Sequence, residues 1–191
     1  MDEGAVGRAD ERVGRDMILG KEVNLSQRAV VYSPDKLTIG DHSRIDDFCI
    51  LSCSGGLTIG KYCHVACYTA LFAAAGIILE DFAGLSGHCV VYSKSDDYSG
   101  ETMSNPTVPE KYKAVKSGLV VLRKHVLVGH GVTIMPGVTI GEGTAIGAKS
   151  FVNKDCEPWS IYAGIPAKRV GERSKNLLVL EKELLHGAGY L

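Results

Sequence analysis

The sequence has no excess charge of either sign. It carries 21 Lys and Arg against 22 Asp and Glu, a net charge of −1. That excludes a strong electrostatic draw toward nucleic acid or an anionic membrane surface. It lacks long hydrophobic runs, and none approaches the ~20 apolar residues that span a bilayer. The opening MDEGAVGRADERVGRD has no apolar core, so it does not read as a secretory signal. Residues 1–16 are expected to be a mobile segment, and the expected location is cytoplasmic. Asn24-Leu25-Ser26 matches a glycosylation acceptor, which carries no weight without a secretion route. The six cysteines form no CxxC pair. With 191 residues, 45% hydrophobic and 23% charged, the chain reads as one ordinary globular domain.

A repeat is present instead. LTIGDHSRID (37–46) returns as LTIGKYCHVA (57–66), twenty residues on. Aliphatic residues recur at steps of six in six triplets. They are Leu19, Leu25, Val31; Ile39, Ile45, Leu51; Ile59, Val65, Leu71; Leu79, Leu85, Val91; Leu122, Val128, Ile134; and Ile140, Ile146, Val152. A period of six suits neither an amphipathic helix nor an alternating strand. It suits an all-β solenoid of hexads, each giving one short strand and one corner, three to a triangular turn. The fifth place of each hexad should be small, and it includes Cys49, Cys63, Cys89, Ser95, Ser150 and Cys156. Those four cysteines are therefore expected to be buried, reduced packing residues. Glycine after the aliphatic residue, as in Gly40, Gly60, Gly129, Gly141 and Gly147, is expected to serve a tight bend.

The pattern stops for about thirty residues in an inserted loop, 92–120, a polar excursion expected to carry a site. The tail 171–191 holds Leu177, Leu180 and Leu184 at helical spacing, so a C-terminal α-helix is expected from Ser174 to His186.

The phrases Pro136-Gly137-Val138, Ile146-Gly147-Ala148, Lys154-Asp155 and Ala163-Gly164-Ile165-Pro166-Ala167-Lys168 closely resemble the hexapeptide-repeat acyltransferases. The resemblance covers residues 19–170 and lies nearest the sugar acyltransferases of surface polysaccharide synthesis. It implies a left-handed parallel β-helix of about six triangular turns over 17–170, a homotrimer, and acetyl-CoA or another acyl-CoA as co-substrate, with no metal. The pantetheine arm would then lie near Gly129, Ala148, Ser150 and Pro166, and Lys168 and Arg169 would meet the phosphates.

In the O-acetyltransferases of that family a histidine stands at the start of the loop. The corresponding place here holds Asp96. A sugar hydroxyl is a poor acid and suits a histidine base. An amine needs only orientation and a place to shed its proton, which a carboxylate supplies. Asp96, with Glu101 nearby as a second catalytic carboxylate, thus points to N-acylation of a nucleotide-linked amino sugar, with Ser86, Asp97 and Tyr98 as substrate contacts. His88 and His130 are the rival bases, which would fit O-acetylation; His42 and His64 read as structural. Two further readings compete. His88, His125 and His130 suggest a zinc site like that of the γ-class carbonic anhydrases, although His125 and His130 fall one hexad place out of phase. The last is a non-catalytic β-helix scaffold.

Overall fold

The computed structural model describes residues 17–187, so the expectation for 1–16 lies outside the described residues. The chain coils into a three-faced parallel β-solenoid. The first face stacks Ile18–Leu19, Leu37–Ile39, Leu57–Ile59, Ile77–Leu79, Val120–Leu122 and Thr139–Ile140. The second begins at Asn24–Leu25 and the third at Val30–Tyr32, each repeating once per turn. Registers are unbroken across the excursion, with Leu79 paired to Leu122 and Leu85 to Val128.

The hexad aliphatics form three inward columns. Fifteen of the eighteen are buried to 3% exposure or less. The exceptions are Leu19, Leu25 and Val31, all in the first turn, which has no described turn beneath it. The small fifth positions are buried as expected, apart from Ser95, which has left the prism on a hairpin strand; Ser93 points inward instead. Cys49, Cys63, Cys89 and Cys156 are buried free thiols. Burial pushes Cys63 up to about 12 and Cys49 to about 11, which makes them poor nucleophiles.

Six full turns are followed by part of a seventh. Cys156 bridges to Ile140, and Ser160–Ala163 pairs with the second face. Lys168–Glu172 then turns back antiparallel and covers that edge.

The glycines serve a different purpose from the one expected. Gly40, Gly60, Gly129, Gly141 and Gly147 do not take left-handed backbone. They are small because successive turns touch there: a Cβ on Gly129 would lie 2.6 Å from the Ala148 nitrogen. The left-handed corners carry large side chains instead, such as Tyr62 (φ 54°) and His88 (φ 61°).

Helix α1 (Leu177–Gly187) starts three residues later than expected, because Ser174 accepts the Asn176 N–H in a turn before it. Leu177, Leu178, Glu181 and Leu185 face the prism, while Leu180 and Leu184 point outward.

Candidate active site

Two corners of the prism carry stacked rings. At the first, His42, Tyr62, Phe82 and His125 stack at centroid spacings of 4.7, 5.0 and 4.9 Å. At the second, Phe48, Tyr68 and His88 stack at 5.2 and 4.9 Å. A left-handed non-glycine residue costs about 1–2 kcal/mol, and a stacked ring pair returns about 0.5–1.5 kcal/mol. The ladders therefore offset much of the strain of the corners they occupy.

The histidines divide by partner. His42 pairs with Glu22, His64 with Asp46, and buried His125 with Glu181 of helix α1. Lys124 reaches the same carboxylate. Burial alone would raise Glu181, but hydrogen bonds from Lys124 and His125 outweigh it and hold the group below the usual carboxylate range. His88 and His130 meet edge to face at 5.1 Å, and no ion pair to a carboxylate involves either among the described residues. His125 belongs to the other corner, so the three histidines of the zinc reading do not converge. No metal-binding cluster of His, Cys, Asp or Glu occurs among the described residues.

The excursion leaves the third face after Tyr92 and returns at Val120. It is tied at its base by an antiparallel pair, Lys94–Ser95 with Lys116–Ser117. Beneath it lies a groove of about 690 Å³. Its floor is the outer side of the third face: Tyr92, Thr133, Met135 and Phe151. Its wall holds Lys94, Asp96, Tyr98 and Val115. The Asp96 carboxylate accepts one hydrogen bond, from the Asn105 N–H at 3.1 Å, and retains further acceptor capacity toward the groove. Asp97 turns into its own loop, accepting from the Ser99 N–H, the Ser99 hydroxyl and Thr102. Those bonds, the Ser99 N–H first, hold its carboxyl below the usual range. Glu101 is exposed on the same loop and does not line the groove. Ser86 stands half-buried, two residues before His88 at the second corner.

The residues assigned to the coenzyme also divide. Ser150 is buried; its hydroxyl donates to the Gly147 carbonyl and accepts from the Gly164 N–H, so it pins the end of the prism. Arg169 is committed to Ser160 and Glu172. Ala148, Pro166 and Lys168 are exposed. No ion pair involves Lys168 among the described residues.

A family model for the bacterial transferase hexapeptide (six repeats) matches residues 120–154. A dTDP-4-amino-4,6-dideoxy-D-glucose acyltransferase of Escherichia coli is 43% identical over 164 residues, 85% of each chain. The chain belongs to the hexapeptide-repeat acyltransferases. The crystal structure of AntD, an N-acyltransferase from Bacillus cereus, in complex with dTDP and 3-hydroxybutyryl-CoA, is 44% identical, with a TM-score of 0.88 over 91% of this chain and 92% of that one. AntD variants at a serine and at an aspartate ten positions further on have also been crystallised with coenzyme A.

This acyltransferase has groove residues that sequence reasoning did not single out: Lys94, Thr133, Met135 and Phe151. Thr133 and Phe151 are outward neighbours of the inward Ile134 and Val152. That alternation was readable, but the fold-back of the loop over them was not. Lys149 was also missed. It stands eighteen residues after Gly131, one turn further along the second corner.

Proposed function

We infer that this acyltransferase moves an acyl group from an acyl-CoA to the amine of a dTDP-linked amino sugar. The observation that carries the reading is Asp96 at the wall of the groove, where an O-acetyltransferase of the family would have a histidine. The AntD variants support it, because Ser86 and Asp96 are the only serine and aspartate in this sequence with that ten-residue spacing.

The neutral amine attacks the thioester carbonyl, the C–N bond forms, and the C–S bond breaks. The proton shed by nitrogen passes to the Asp96 carboxylate and from there to the departing thiolate, so that coenzyme A leaves as the thiol and the carboxylate is regenerated. Ser86 orients the acceptor, and the His88–His130 pair faces the thioester. The groove lies on an outer face of the prism and does not include Ser86, His88 or His130, so the reading includes a homotrimer with sites completed between subunits. It also includes a cytoplasmic role in surface polysaccharide synthesis, where both substrates are found. No helix among the described residues is long and apolar enough to cross a membrane.

Thiol release from acetyl-CoA with paired acceptors tests this. The expected result is turnover with a dTDP-linked 4-amino sugar, none with the matching 4-hydroxy sugar, and a kcat about 10²–10³-fold lower in Asp96→Asn. Turnover with the hydroxyl sugar alone would move the base to His88 or His130.

A further inference from the structure

The second ladder ends in a cation. Its left-handed positions run Phe48, Tyr68, His88, Gly131 and Lys149, one per turn. Gly131 (φ 67°) leaves a rung without a ring. Lys149 (φ 59°) folds its side chain into that gap: a Cβ on Gly131 would lie 2.8 Å from Nζ and 2.9 Å from Cδ. The ammonium thus occupies the rung next to His88. His130 is at the same place, since a Cβ on Gly87 would lie 3.9 Å from its Nδ1.

No ion pair to a carboxylate satisfies Lys149 among the described residues, although eleven ion pairs occur elsewhere in them. A lysine held in left-handed backbone, folded along the surface instead of extended into solvent, and left without a counter-charge beside two imidazoles is arranged for an anion. Both substrates of the proposed reaction carry a diphosphate. We propose that Lys149 is a binding residue that takes the diphosphate of one of them, with the gap at Gly131 giving its side chain room to fold beside His88. This rests on the proposed acyl-CoA and nucleotide-sugar chemistry.

Equilibrium binding of coenzyme A and of dTDP, measured separately at low and moderate salt on the full chain, tests it without requiring turnover. Lys149→Met should weaken one of the two ligands about tenfold and flatten its salt dependence, as expected for one lost charge-assisted contact. Lys149→Arg should restore affinity to within about threefold, because it keeps the charge. The ligand that shifts identifies the source of the diphosphate. Unchanged affinity for both in Lys149→Met would overturn the assignment and leave the proposed function intact. Equal weakening of both ligands with unaltered salt dependence would also overturn it, by marking a packing role. Failure of the wild-type protein to bind either ligand would overturn both readings.

Discussion

At one corner of the prism His42, Tyr62, Phe82 and His125 stack in order, and the last ring meets Glu181 under helix α1. At another, Phe48, Tyr68 and His88 stack in the same way; both series then reach a left-handed glycine, and the gap is filled by the Trp159 ring at Gly143 in the first and by the Lys149 side chain at Gly131 in the second. The backbone rule is common to both: one left-handed residue per turn, with turns joined by ladder hydrogen bonds. What differs is satisfaction. The first corner supplies a carboxylate for its terminal histidine and covers it with a helix. The second leaves two imidazoles and an ammonium without one. On a scaffold this repetitive, a histidine's position in the repeat says little about its role. Its partner says more, because a side chain already satisfied within the fold has little left to offer a substrate.

The strongest way to break that comparison is to delete rings from each corner. His88→Ala combined with His130→Ala should lower kcat about a hundredfold, the scale of losing a group that acts in the transition state, and should lower the melting temperature less than His125→Ala does, because an exposed ring stack on Tyr68 is lost but no buried ring and no bond to a carboxylate. His125→Ala should do the reverse. It removes a buried ring, its stack on Phe82 and its bond to Glu181, about 2 kcal/mol together. That corresponds to roughly 4–8 °C in Tm for a chain of this size, with activity per folded molecule retained. Steady-state kinetics beside thermal unfolding separates the two. If His125→Ala abolished turnover in a protein that still folds, the division by partner would be wrong.

Acid should loosen the first corner specifically. The Glu181 carboxyl is lowered in the folded state, so its contribution is fully present above the ordinary carboxylate value of about 4.3. It is lost as pH falls through the lower folded value. Lys124 and His125 face Glu181 from the prism, and Leu177 and Leu185 flank it on the prism-facing side of the helix. Amide exchange across 177–187 should therefore accelerate below about pH 4, while the strands of the prism stay protected. In Glu181→Gln the helix should exchange faster at neutral pH and lose that acid step.

The hexad period was enough to place the inward columns, since each aliphatic residue reports its own burial. The glycines were legible in position but not in cause, because contact between turns is a tertiary fact: only the stacked neighbour explains why Gly129 cannot carry a Cβ. Within the site, Asp96 and Tyr98 line the groove, and His88 and His130 meet because their hexads stack on adjacent turns, although that placement alone does not assign a role. Asp97, Ser150 and Arg169 could not be separated from their neighbours by sequence, because internal hydrogen bonding decides how much of each remains for a ligand. The groove itself depends on how 93–119 folds back over the third face, and no period governs that stretch.

The smallest expected effect probes the ladders directly. Tyr62→Gly removes two stacked contacts, to His42 and Phe82, worth about 0.5–1.5 kcal/mol each. It also releases a left-handed non-glycine backbone, worth about 1–2 kcal/mol. The two nearly cancel, so the stability change from denaturant unfolding should stay within about 1 kcal/mol. Tyr62→Ala keeps most of the backbone cost and loses the rings, so it should be the more destabilising of the pair. That ordering, with glycine better tolerated than alanine, inverts the usual preference in regular structure. If alanine proved the milder change, the left-handed backbone would not be the strain the rings offset, and the ladders would need another reason to exist.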